Sequence, residues 1–135
     1  MALLKWTMDY SVGIHEFDVE HQKLISILNE LHKAMKERRS ESVIRKTLND
    51  LLDYTSVHFN TEKKFFIMFN YPKMTEHIKE HNDFIKTIKD FRSKHEKGGA
   101  AISIDLMHYI ADWIKNHIKG TDKEYSEFFK KKGLV

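Results

Sequence analysis

Cysteine is absent from this chain of 135 residues. That excludes disulfides, thiol nucleophiles, thiolate zinc sites, cysteine-held iron–sulfur clusters and covalent c-type haem. One proline and five glycines leave few breaks and no glycine-rich loop to cradle a phosphate. No run approaches the roughly 18 apolar residues of a membrane span, and the N-terminus carries no secretory pattern. The expectation is a cytoplasmic protein without a membrane partner. An excess of one charge is also missing. Lys plus Arg number 23 against 20 Asp plus Glu, and a net charge of +3 is too small to argue nucleic-acid binding. Hydrophobic residues at 41% and charged residues at 32% describe a folded domain that can bury one core. What the chain has in unusual number is histidine, with nine.

The whole chain, 1–135, reads as one domain. Residues 1–17 hold Trp6, Tyr10, Val12, Ile14 and Phe17 without helical periodicity, which predicts an extended arm that lays its aromatics on the body. Asp18 is the expected N-cap of a helix running to about Arg38. After a turn at Arg39–Ser40, a second helix runs from about Glu41 to Phe69. Asn70-Tyr71-Pro72 breaks it, because the residue before proline avoids the helical region. A third helix is expected from about Lys73 to Glu96, ended by Lys97-Gly98-Gly99. A fourth runs from about Ala101 to Lys119 and stops at Gly120 as a C-terminal cap. Residues 120–135 form a C-terminal segment with a short helix. Four helices joined by short turns predict an all-α, up-down-up-down antiparallel four-helix bundle over 18–119.

The apolar stripes carry polar residues where core residues belong. The second helix has a seam of Ile44, Leu48, Leu51, Thr55, His58, Glu62, Phe65 and Phe69, stepping alternately by four and three. The third reads Met74, His77, His81, Phe84, Ile88, Phe91, and the fourth Leu106, Ile110, Trp113, His117. In the first, His21 extends the stripe Leu24, Leu28, Leu31, Met35 backwards. Heights agree as well as faces. In an up-down bundle the start of helix one, the end of two, the start of three and the end of four share one end. His21, His58, Glu62, His77, His81 and His117 all fall near that end at about 1.5 Å of rise per residue. Asp122, five residues past His117, can reach back into it.

Burying these groups without partners would cost several kcal/mol each. A metal removes the cost, since neutral imidazole and carboxylate are its natural ligands. Five histidines and two carboxylates exceed one tetrahedral zinc and suit two octahedral metals bridged by carboxylates. Donor types alone do not select iron over manganese or cobalt.

This constellation resembles the hemerythrin family in its single-domain bacterial form. The matching pieces are Trp6-Thr7-Met8-Asp9-Tyr10-Ser11-Val12-Gly13-Ile14, Asp18-Val19-Glu20-His21, His58-Phe59-Asn60-Thr61-Glu62, Tyr71-Pro72, His77 with His81, and the run from Trp113 to Asp122. The resemblance covers nearly the whole chain. It implies two iron ions in a non-haem, oxo- or hydroxo-bridged centre that binds O2 reversibly, and small anions such as azide when oxidised. It implies His77, His81 and His117 on one iron, His21 and His58 on the other, and Glu62 and Asp122 shared. It also implies a dry O2 pocket of Leu24, Phe59, Trp113, Ile114 and Ile118, on the side of the His21/His58 iron. The family often has a second acid after the ligand glutamate. Here that position is Lys63, which is not a ligand position but changes the local charge.

Three functions compete. The leading one is a binding protein that carries, stores or senses O2. Two carboxylates and five neutral imidazoles supply little anionic charge, so high-valent iron is poorly stabilised and O2 is expected to be held as peroxide rather than cleaved. Oxygen-activating bundles use four carboxylates and two Glu-x-x-His motifs, and no Glu-x-x-His occurs here. The alternatives are a di-iron peroxidase, oxidase or nitric-oxide-handling enzyme, and an O2- or iron-responsive regulatory domain. No acid–base residue beyond the ligands is visible, and no output domain follows the bundle, which count against each in turn.

The remaining histidines are expected at the surface or satisfied within the fold. His15 lies in the arm, His32 is remote in helix one, and His108 sits well before His117. His95 is 14 residues beyond His81, about 21 Å along the helix. His81→Ala should therefore lower bound iron in metal analysis, while His95→Ala and His108→Ala leave it unchanged. Equal loss from His95→Ala would refute the argument from axial height.

Overall fold

The computed structural model describes residues 4–39, 41–97 and 104–133. It is a four-helix bundle without strands among the described residues. A short 3-10 turn, Met8–Tyr10, precedes α1 (His15–Lys36), α2 (Glu41–Phe69), α3 (Met74–Lys97) and α4 (Ile104–Asn116). A π-helical turn, His117–Thr121, then leads straight into α5 (Asp122–Lys131). Helix α1 packs on α2, α2 on α3, α3 on α4 and α4 back on α1, which closes the bundle. No described helix is long and apolar enough to cross a membrane. Ser40, Gly98, Gly99 and the start of the fourth helix before Ile104 lie outside the described residues, as do the last two residues of the tail.

Two sequence expectations are corrected. Asp18 is not the N-cap of the first helix. That helix begins three residues earlier, with Ile14 at the cap and no side-chain capping bond. The Asp18 carboxylate instead accepts from the Ser11 hydroxyl at 2.5 Å and from the Val12 N–H at 2.8 Å. It ties the arm to the first turn of α1. The arm is fastened again where the Ser126 hydroxyl of α5 donates to the Val12 carbonyl. Helices α1 and α2 end in the same way, on a left-handed residue (Arg38 and Asn70, each at φ 55°). The following N–H reaches back across the last turn, Arg39 to the Ala34 carbonyl and Tyr71 to the Phe66 carbonyl, each at 2.9 Å.

The second correction is at Gly120, which does not end a helix. It lies inside the π-turn, and the Asp122 N–H bonds to the His117 carbonyl five residues back. In a regular α-helix, residues five apart point about 140° from each other. The wider turn removes that offset and carries the helix on with Asp122 under His117.

Along each helix, buried polar residues separate two apolar clusters. The larger cluster holds Leu24 and Leu28 of α1, Leu51 and Phe59 of α2, Phe84 and Ile88 of α3, and Ile110 and Ile114 of α4. The smaller holds Val12 and Ile14 of the arm with Phe17, Phe66, Tyr71, Tyr125 and Phe129. His21 falls between Phe17 and Leu24, Glu62 between Phe59 and Phe66, and Asp122 between Ile118 and Tyr125. The polar layer is thus sealed on both sides by side chains too large to admit bulk water.

Gly120 is exposed, its φ is not positive, and a Cβ there would meet nothing within 4 Å. Gly120→Ala should therefore stabilise the protein by about 0.5–1 kcal/mol, as in a helix interior. Equilibrium urea unfolding measures it. Destabilisation would restore the capping role.

Candidate metal centre

His21 comes from α1, His58 and Glu62 from α2, and His77 and His81 from α3. His117 lies on the π-turn and Asp122 at the start of α5. All seven are buried, none more than 4% exposed. They form two groups that could hold a metal ion. One is Glu62, His77, His81, His117 and Asp122; the other is His21, His58, Glu62 and Asp122. Within each group the donor atoms lie within 4.8 Å of one another. Glu62 and Asp122 belong to both. The π-turn accounts for Asp122, whose Oδ1 stands 3.0 Å from the Nε2 atoms of both His117 and His77. Its other oxygen is 3.0 Å from His21 Nε2.

Close approach here is not satisfaction. The Nε2 atoms of His21, His58 and His77, Oε1 of Glu62 and both carboxylate oxygens of Asp122 are buried without a well-formed hydrogen bond. His81 Nε2 and His117 Nε2 face each other at 3.1 Å. Buried polar atoms left like this are costly. A cation bound among lone pairs aimed at one place removes the cost, and the donor set fits one.

Charge in the metal-free centre is strongly coupled. Burial and the neighbouring Asp122 push the Glu62 carboxyl up, but His58, His77 and His81 outweigh them and hold it well below the carboxylate range. Burial likewise raises Asp122, and His117, His21 and His77 hold it well below. Burial alone would lower His77, His81 and His117. The nearby carboxylates of Asp122 and Glu62 lift His77 to about 9, and Asp122 with Glu80 lifts His117 to about 10. His81 moves down, because burial and the positive rings of His117 and His77 exceed the pull of Glu62.

Outside the seven, three polar side chains act that the sequence reading missed. Glu20 Oε1 lies 2.6 Å from His58 Nδ1. Glu80 Oε1 lies 3.3 Å from His117 Nδ1, and the carboxylate also accepts from the Thr121 hydroxyl at 3.0 Å. The Tyr125 hydroxyl donates to Glu62 Oε2 at 2.6 Å. Each of the three supports a donor side chain. Two of the chain's three Glu-His doublets, 20–21 and 80–81, carried the signal for the glutamates. In each, the histidine turns inward and the glutamate reaches the histidine of the adjacent helix.

Of the five apolar residues expected around the centre, two stack on its donor rings. Phe59 stacks on His81 with ring centroids 3.6 Å apart, and Trp113 on His117 at 4.2 Å. Both thus press on the three-histidine group. Leu24, Ile114 and Ile118 are buried in the larger apolar cluster. His15 and His108 are exposed and His32 is half-buried, all apart from the cluster; the His95 side chain lies outside the described residues. Lys63 is exposed.

Titration of the metal-free centre gives a test. The raised His77 and His117 add stability that is complete below about pH 6.5, the unfolded value, and is lost as pH rises through about 9 and about 10. Glu62 and Asp122 add stability that is present above the ordinary carboxylate range and lost in acid. Thermal melts of metal-free protein should therefore peak in mildly acidic solution and fall toward pH 10. A bound cation takes the place of these protons, so loaded protein should lose the alkaline decline. A melting temperature that rises between neutrality and pH 10 in metal-free protein would contradict this account.

Comparison with known proteins points the same way. Residues 12–129 match the model of the Hemerythrin HHE cation binding domain. A bacteriohemerythrin of Stenotrophomonas maltophilia (strain R551-3) is 32% identical over 127 residues, spanning 94% of this chain and 82% of that protein. One from Methylococcus capsulatus (strain Bath) is 32% identical over 127 residues, spanning 93% and 95%. The crystal structure of a wild-type hemerythrin, 28% identical, aligns with a TM-score of 0.86 over 93% of this chain and 97% of its own.

Proposed function

The chain belongs to the hemerythrin family, and from that premise we propose that it is a non-haem di-iron protein that binds O2 reversibly. The observation that carries this reading is a sealed layer of seven donors in which two carboxylates serve two donor groups at once. On it, His77, His81 and His117 would hold one iron and His21 and His58 the other, with Glu62 and Asp122 available to both. The first half has one protein donor more than the second. The exchangeable position, for O2 or for azide in the oxidised state, therefore belongs to the His21/His58 half. An iron pair bound there would supply the reversible redox chemistry for holding O2.

The chain's own residues make that release possible. Tyr125 fixes the rotamer of Glu62 through its hydroxyl. Phe59 and Trp113 clamp the planes of His81 and His117. Leu24, Ile114 and Ile118 contribute apolar wall rather than protons. A dry wall disfavours escape of a charged, reduced form of oxygen, so the binding function dominates over turnover. Glu20 and Glu80 touch the outer nitrogens of histidines and not the space between the donors, where a peroxidase would place its acid–base group.

Protein loaded anaerobically with Fe(II) should take two irons per chain. Its visible spectrum should change on O2 and return under argon over repeated cycles. A single iron at saturation, or a spectrum that never returns, would overturn the proposal. Sustained turnover of hydrogen peroxide or nitric oxide would favour the enzyme instead.

A further inference from the structure

The five histidines are not supported alike. In each donor group one ring is braced from outside by a carboxylate of the neighbouring helix. Glu20 on α1 braces His58 on α2, and Glu80 on α3 braces His117 beyond α4. The two braces differ. Glu20 makes a short contact of 2.6 Å, and its side chain is only 18% exposed. Glu80 stands at 3.3 Å with its side chain 45% exposed, and it divides its oxygens between His117 and the Thr121 hydroxyl. The outer nitrogens of His21 and His77 are buried with no hydrogen-bond partner.

The consequence falls unevenly on the two groups. The three-histidine group has His81 and His117 clamped by stacked rings as well as by Glu80. The two-histidine group has no stacked aromatic. Phe17 meets His58 edge-on at 6.4 Å and Phe59 meets it tilted at 6.1 Å, while among the described residues His21 meets only the His58 ring, at 4.6 Å. All carboxylate support to that group from outside the shared pair passes through Glu20. An Nδ1–H donated to a carboxylate leaves the Nε2 lone pair pointing inward and makes the ring a stronger donor. It also fixes which tautomer is present.

We propose that Glu20 is the positioning residue of the two-histidine half of the centre, holding His58 in the tautomer, orientation and donor strength that a metal in that half requires. This rests on the di-iron reading above and adds an unequal, separately adjustable brace for each half. Because Glu20 is the neighbour of His21 in the chain, one turn of α1 supplies a donor and the support for its partner. That half, and not the other, is then the one whose affinity responds to position 20.

Titration of the metal-free full chain with Co(II) tests this, read by calorimetry and by the visible d–d bands. Wild-type protein should bind two ions. In Glu20→Gln, which keeps size but loses charge, one of the two sites should weaken by about 10–100-fold, with its d–d bands altered and the other site unchanged. Glu20→Ala should do the same more strongly, and Glu80→Gln should weaken the opposite site. Helix content of the metal-free variants, followed by circular dichroism, should stay as in wild type. Two sites of wild-type affinity and spectrum in both Glu20 variants would overturn the proposal, as would equal weakening of both sites. Wild-type protein that bound no Co(II) would instead overturn the metal reading, and this proposal with it.

Discussion

Two carboxylates, Glu62 and Asp122, lie wholly out of water in the middle of a helical bundle. An isolated buried carboxylate either neutralises itself or finds positive partners. Here it finds them: five imidazoles from four helical segments surround the pair. Those imidazoles are equally dependent on the carboxylates, since without them their buried nitrogens would face no polar partner. Neither set is tolerable without the other, and together they still leave lone pairs converging on a shared space. The fold therefore carries a debt at its centre that only a cation settles. This constraint explains why the helices give one or two core positions each to buried histidine or carboxylate.

The helices must present these donors at one height, and ordinary α-helical geometry nearly suffices. His58 with Glu62, and His77 with His81, are four apart and share a face without adjustment. His117 and Asp122 are five apart and would not. The π-turn absorbs the extra residue, and Gly120 within it leaves the outer surface of the turn unencumbered. Once past it, α5 delivers Tyr125 and Phe129 to the second apolar cluster, which closes the layer from the side of the arm. The Asp18 and Ser126 contacts that hold the arm are thus part of the same enclosure, because Val12 and Ile14 complete that cluster.

Periodicity made most of this legible. Alternating steps of four and three put His58, Glu62, His77, His81 and His117 on core stripes, and the up-down order put them at one end. Both follow from the backbone repeat alone. What the repeat could not express was local. Asp18 has the residue type and position of a cap, yet its carboxylate goes to the arm, because the helix had already begun at His15. Gly120 has the type of a terminator, but a glycine also suits an exposed turn of unusual width. Glu20 and Glu80 were passed over because their stripe is the boundary of the helix, where glutamate normally faces water. Only the crossing of neighbouring helices shows that they meet His58 and His117. Each miss came from reading a residue within its own segment when its partner lay on another.

The supports of the donors are distributed in a way that bears on how such a centre works. Phe59 and Trp113 lie flat on His81 and His117, tilted by 2° and 13°. Phe66 packs against His77 at 4.8 Å. Each ring of the three-histidine group is thereby held by a large aromatic neighbour, and a held ring cannot follow a metal that changes its distance. The His21 and His58 rings have each other, the edge of Phe17 and the tilted ring of Phe59, and none of these is a stacked contact. On the di-iron reading, the group with the complete donor set is the rigid one, and the group with an exchangeable position keeps some freedom. On that reading a ligand would change the donor count on one side only, and the division would let the centre respond without moving the helices. Rigidity is spent where coordination is constant, and compliance is left where it varies, with Glu20 as the one strong tether on the compliant side.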